Sequence, residues 1–587
     1  MDHLSDFKPL AKVSLPDVGE LRCSGLIVIV GPNSSGKSRL LHDLNRKLCG
    51  ERHSLVVARA VVLRKPDYAP LVKCLEKEGY IEKFVDDNGN PQFLPRTTYI
   101  GSGVVAPTVQ PSQAQNWHST YSPDQEPVGK QPTQFLHYFG RFLVTALFLE
   151  RRLIALSEIG AIDFDKQPPQ QDLHALFRDD TARGRLFQET VNVFGKAVWP
   201  DLTRGNVLCL KVSDGQVPSP EDRLSPRKMA LCRSIESEGD GLKSYAATCV
   251  ALLLGRRPVC LIDEPEMCLH PPQAYQLGRF IGREASSDET ATFVATHSSE
   301  ILRGVIQTAT NVQIVRLTRK SGKFSAHLVP AEVLAEAVKK PTVRAESVLD
   351  GIFAQSVVVL EGDGDRLVYQ AAWETLSKEL GLEAHFATAG GTGGIADTCR
   401  LYKTLKIPIA VIADIDLVTD AAKLQQILMV MAPDPVRPTL ESAASAILDE
   451  LKKLPPVVDP DDVKRELAGL IESASDWTQD RDIDVSRRLA ELSRKLDRKR
   501  RLKKGSSLPG GVTKALGELL VNLKEIGVFL VPVGELEDWL AAEKIQESKA
   551  NKWAWANAAA LRIQQRGATS GDVWDFIRDV GNYLKKL

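Results

Sequence analysis

No stretch of this sequence approaches the ~20 consecutive apolar residues needed to cross a bilayer. The run Ala246–Leu254 comes nearest, and Arg256 and Arg257 close it. No membrane role is expected. Excess charge of either sign is also missing: 75 lysines and arginines stand against 75 aspartates and glutamates. No global field therefore draws in nucleic acid, and any basic contact surface must be local. The nine cysteines include no CxxC pair, and Cys209, Cys249 and Cys260 lie in apolar runs. That pattern argues against zinc and reads as reduced thiols of a cytoplasmic protein. The opening MDHLSDFKPL has no secretory leader pattern, in keeping with that expectation.

What is present begins with length. At 587 residues the chain exceeds one hydrophobic core, and roughly two to four domains are expected. The apolar run Leu26–Val30 leads straight into Gly31-Pro32-Asn33-Ser34-Ser35-Gly36-Lys37-Ser38 and a helix from Arg39 to Leu48. A buried strand feeding a glycine-rich loop and a helix offers backbone N–H groups to a triphosphate. Lys37 would reach the β/γ-phosphates and Ser38 would hold Mg²⁺. Far downstream, Val259-Cys260-Leu261-Ile262-Asp263-Glu264-Pro265 is an apolar strand ending in two carboxylates. Asp263 would steady the Mg²⁺ and Glu264 would polarise the attacking water. Together the two lines predict an ATP- or GTP-binding core.

Short strands are expected over residues 8–30, ahead of the phosphate loop, and a strand over Ser54–Leu63 after it. Helical spacing over Phe135–Glu158 and Asp172–Phe194 predicts an inserted helical arm. Ser237-Glu238-Gly239-Asp240-Gly241 opens a helix just ahead of the carboxylate strand, as a second phosphate-binding end would. His297 closes the strand Thr292–Ser298, where it could meet a γ-phosphate.

These motifs resemble those of ABC-type ATPases, nearest the branch with Rad50, SMC and RecF-like proteins. GPNSSGKS resembles Walker A, SEGDG a signature motif, LIDEPEMCLHP a Walker B with its following loop, and ATHSSEIL the switch histidine. The resemblance implies that Ser237 and Gly239 complete the ATP site of a second copy, so at least a homodimer is expected. SEGDG departs from the transporter form LSGGQ.

Beyond a connector expected over Ile314–Val343, an α/β pattern restarts. Ser356–Leu360 is a buried strand followed by Glu361, and Ile407–Ala413 is another, followed by Asp414 and Asp416. Alternating strands and helices imply a parallel sheet with loops at its carboxyl edge. Along an extended backbone Asp414 and Asp416 would share a face. Carboxylates gathered in one crevice repel unless a cation sits among them, and all-oxygen ligands favour Mg²⁺ or Mn²⁺.

A glutamate after one strand and DxD after a later one resemble a Toprim domain, with Val528–Val533 as its last strand and Glu537 as a further candidate ligand. An ABC-type ATPase followed by Toprim resembles the OLD (overcoming lysogenisation defect) family of ATP-dependent nucleases. That likeness adds Asp365, four positions after Glu361, to the metal set, and implies a late basic residue: Lys544, Lys549 or Lys552. The fold class expected is α/β, an ABC-type ATPase domain over 1–345 with an insertion about 65–205. A Toprim domain over 346–587 follows, with a basic helical insertion about 418–524. Within that insertion ten basic residues between Arg487 and Lys504 face only Glu491 and Asp497, a pattern suited to phosphate contacts without sequence specificity.

The expected function is a metal-dependent nuclease gated by ATP, with DNA favoured as substrate, in bacterial antiphage defence and with a possible operon-encoded partner. The competing readings are an RNase acting on tRNA and a regulatory scaffold that binds nucleic acid or an effector without cutting.

Overall fold

The protein is described by a computed structural model, which covers the chain apart from residues 1–3, 52, 96–107, 124–132, 166–168, 170, 202, 215–224, 255–256, 286, 331–345, 455–458, 473–484, 490–501, 503–507, 544 and 548–550. The chain divides into two compact units, Met1–Val338 and Lys339–Leu587, and both are α/β.

The first unit is built on a six-stranded sheet. Its order is Lys323–Val329, Val312–Lys320, Gly25–Val30, Ala291–Ala295, Val259–Asp263 and Val144–Leu147. All pairings are parallel except that of the first two strands. Every residue of Gly25–Val30 and Ala291–Ala295 is buried, as continuous apolar runs in a sheet covered on both faces must be. The register aligns Asp263 with Ala295 and Ala295 with Ile29. The phosphate loop, the carboxylate pair and His297 therefore all leave the sheet at its carboxyl edge.

Three expectations are corrected here. Phe135–Glu158 is not one helix of an arm: it breaks into the helix Gln134–Phe139, the strand Val144–Leu147 and the helix Leu149–Ile154. Four residues, three of them apolar, fit a helical stripe as well as a buried strand, and only pairing with Val259–Ile262 decides the matter. Nor is Ile314–Val343 a mere connector. Its first part forms the antiparallel hairpin that completes the sheet. The expected strand Ser54–Leu63 shrinks to Ala60–Leu63, because the amides of Val56 and Val57 both donate to buried Asp43 instead of to a strand.

The second unit carries a four-stranded parallel sheet in the order Ala384–Thr388, Ser356–Leu360, Ile409–Ala413, Val528–Leu530. The helices Asp363–Leu380, Lys552–Arg566 and Asp572–Lys586 pack around a core that includes Val358, Leu360, Phe529, Trp555 and Trp574. Of the basic stretch, Arg487 and Arg488 are helical, while residues 490–501 and Lys504 lie outside the described residues.

Candidate functional sites

In the first unit the loop Gly31–Gly36 wraps a cleft of about 450 Å³, lined by Asn33 through Arg39, Val56, Glu264, Arg319 and Phe324. Gly31 has φ 140° and Gly36 φ 97°. A Cβ at Gly31 would strike the carbonyl of Leu317, and one at Gly36 would run into Phe324 and Val57, so both positions need glycine. Lys37 is buried, its Nζ donating to the carbonyls of Gly31 (2.8 Å) and Pro32 (3.0 Å). Burial lowers its pKa, against the pull of Glu264, Glu266 and Asp263. Pro32 and Ser34 sit in the same turn, whose closing bond runs from the amide of Ser35 to the Pro32 carbonyl.

Asp263 ends the carboxylate strand with its pKa pushed up to about 6 by burial, partly offset by a hydrogen bond with Ser38. Its Oδ1 is buried without a hydrogen-bond partner. An orphaned carboxylate oxygen beside a serine hydroxyl fits a Mg²⁺ ion, which would satisfy both. Glu264 takes a left-handed φ of 46° and lines the cleft. His297 Nδ1 stands 3.4 Å from Glu264 Oε1 and 3.2 Å from Glu266 Oε1.

Two contributors escaped the sequence reading. Glu266 is buried, and its Oε1 accepts from Thr296 Oγ1 and from the His297 amide, each at 2.8 Å. Arg152 is fully buried and donates to the carbonyls of Leu147, Asp263 and Glu264 and to Ser244 Oγ. It thereby ties the edge strand, the carboxylate turn and the helix Asp240–Leu254 together. An exposed-looking "ERR" after an apolar run gives no hint of that.

Ser237 and Gly239 are exposed and do not line the cleft of their own chain. Glu238 between them is buried and ion-paired to Lys196 and Arg233. The turn is thus anchored through one residue while its neighbours face solvent.

In the second unit, Glu361 follows its strand directly. Its Oε2 accepts from Thr392 Oγ1 at 3.1 Å and its Oε1 from the Asp414 amide at 3.4 Å. Burial raises its pKa. Asp365 Oδ2 accepts from the Gly362 amide at 3.0 Å, and burial with Glu361 nearby pushes its carboxyl up to about 6. Asp414 is driven to about 8 by burial, then by Asp365, Glu361 and Asp416. Glu537 is 3% exposed, with neither carboxylate oxygen hydrogen-bonded. Lys552 Nζ lies 3.6 Å from its Oε1 and also lowers the pKa of Glu361, Asp365 and Asp414.

The five acids thus share one field, and the donor set fits a divalent cation: hard oxygens, mutually repelling and partly orphaned. Among the described residues no three His, Cys, Asp or Glu side chains are grouped closely enough to ligate one ion as they stand. The expectation for Asp416 changes in its reason. It lies in the 3-10 turn Ile415–Thr419, so extended alternation does not place it. Of the three late lysines Lys552 meets the site, and Lys544 and Lys549 lie outside the described residues.

Comparison with known proteins falls in with this geometry. Residues 352–416 match the model "Overcoming lysogenization defect protein-like, TOPRIM domain", and residues 223–303 match "AAA domain, putative AbiEii toxin, Type IV TA system". The chain thus joins an AAA-type ATPase domain to a Toprim domain. Its Toprim part is OLD-like, and it follows the ATPase domain in the chain. Solved structures resemble it only distantly. The SMC head domain from Thermotoga maritima is 12% identical, covering 55% of this chain and 99% of that one at TM-score 0.27. The C-terminal region of the Xanthomonas campestris pv. campestris OLD protein is 16% identical, covering 40% and 93% at TM-score 0.17. Neither likeness is strong enough to bear on function. No curated protein matches the chain in sequence.

Proposed function

We propose that the protein is an ATP-hydrolysing, divalent-metal-dependent nuclease, with DNA favoured as substrate and a role in antiphage defence. The observation that carries this is the cluster Glu361, Asp365, Asp414 and Glu537, where burial first and neighbouring carboxylates after it raise the pKa of three of the four. A surface meant only to bind phosphates has no use for such a cluster, whereas a cation-assisted phosphodiesterase needs it. Glu361, Asp414 and Asp416, with Asp365 and Glu537, would hold Mg²⁺ or Mn²⁺. Bound there, the metal would supply Lewis-acid activation of water and charge for the leaving oxygen. Lys552 adds a point charge for the scissile phosphate.

In the ATPase unit Ser38 and Asp263 would hold Mg²⁺, and the loop Gly31–Lys37 would hold the phosphates. Glu264 would orient the attacking water and His297 would sense the γ-phosphate. Ser237 and Gly239 would reach the nucleotide of a second copy, making the working unit a homodimer or larger. No helix among the described residues is long and apolar enough to cross a membrane, which accords with a cytoplasmic place of work. The test is cleavage of supercoiled, linear and single-stranded DNA and of tRNA, with Mg²⁺ or Mn²⁺, with and without ATP. Metal-dependent cutting abolished by chelator supports the proposal. No cutting of any substrate would favour the regulatory scaffold, and cutting of tRNA alone would move the substrate to RNA.

A further inference from the structure

Two carboxylates compete for one imidazole nitrogen in the ATPase unit, and their surroundings divide the work between them. Glu264 side-chain exposure is 37% and Glu266 only 8%. Glu264 lines the nucleotide cleft, while Glu266 does not. The left-handed φ of Glu264 turns the chain back, and the Met267 amide closes that turn on the Glu264 carbonyl at 3.1 Å. Glu266 is thereby inserted beneath Thr296 and His297. Its Oε1 collects the Thr296 hydroxyl and the His297 amide, and its Oε2 is buried with no hydrogen bond. Thr296 Oγ1 in turn accepts from the Ser298 amide at 3.0 Å, which locks the acceptor in place.

We infer that Glu266 is the positioning residue for His297: it holds Nδ1 protonated and turned inward, so that Nε2 is presented to the γ-phosphate and Glu264 is left free for water. This rests on the hydrolase reading above. A carboxylate behind a histidine fixes its orientation and the tautomer at Nδ1. Glu266 does not line the nucleotide cleft and would act on the nucleotide through His297. The pairing is invisible in sequence, where nothing local sets Glu266 apart as the partner of a histidine 31 residues on.

The test is a double-mutant cycle on the full-length protein. Glu266→Gln keeps the oxygen that accepts from Thr296 and the His297 amide but removes the charge. It should lower the kcat of ATP hydrolysis on the order of 10-fold, with KM for ATP nearly unchanged. The double variant Glu266→Gln/His297→Gln should then be no slower than His297→Gln alone. Glu266→Asp keeps the charge and should retain most of the rate. Multiplicative effects of Glu266→Gln and His297→Gln, or equal losses in Glu266→Asp and Glu266→Gln, would mark a packing role and overturn the assignment. An inactive parent sinks the hydrolase reading and this inference with it, whereas an active parent with multiplicative variants sinks only the inference.

Discussion

Lys37 carries the phosphate loop's one buried ammonium, folded onto the Gly31 and Pro32 carbonyls. Lys37→Ala should abolish ATP hydrolysis, as read by phosphate release, because the triphosphate loses its nearest point charge. Glu264→Gln should still bind ATP but hydrolyse it ~10²–10³-fold more slowly, the scale of one lost transition-state contact. Rapid turnover by Glu264→Gln would refute the role given to that carboxylate. These residues were legible because each sits at a fixed offset from an apolar strand: Lys37 after Leu26–Val30, Asp263 and Glu264 after Val259–Ile262, Glu361 after Ser356–Leu360. Glu266, Arg152 and Thr392 were not. Their partners are Thr296, the Asp263 carbonyl and Glu361, which lie 30, 111 and 31 residues away, and no local pattern announces a contact at that range.

At the scale of elements, the long buried strands and their helices followed the apolar pattern closely. The exceptions were short or paired only at long range. Val144–Leu147 has four residues and becomes a strand through its neighbour Val259–Ile262. The hairpin Val312–Val329 is held by pairing to the phosphate-loop strand. The carboxyl edge of the second sheet yields a pH prediction. Asp414 has a folded pKa of about 8 against an ordinary 3.8, and Asp365 is raised in the same sense. Between those values the native state holds protons that the unfolded chain releases, so stability must fall as pH rises towards 8 and level off above it. With chelator present, calorimetry of the full chain should show the unfolding transition that involves this unit dropping between pH 5 and pH 8. Asp414→Asn should flatten that slope. A transition that rises over the same range would contradict the burial of Asp414.

For the whole molecule, the ATPase–Toprim order was legible from motifs, while the homodimer expected from Ser237 and Gly239 and the nucleic-acid contact expected from Arg487 to Lys504 stay proposals, since a single chain displays no partner. A Cβ at Gly239 meets nothing within 4 Å in its own chain, so Gly239→Asp should fold and bind ATP yet hydrolyse it poorly if a second copy's nucleotide approaches there. Mixing Gly239→Asp with Lys37→Ala protein should restore part of the activity, because one composite site is then intact. A monomer with ATP bound and full ATPase activity would contradict this arrangement. Whether ATP hydrolysis and strand cleavage occupy two separate sites is read by assaying both on the same preparations of parent, Glu361→Ala and Asp414→Ala protein. Cleavage should fall by ~10²-fold or more with ATPase near the parent level; variants that cut every substrate as well as an active parent would take the cleavage chemistry away from Glu361 and Asp414.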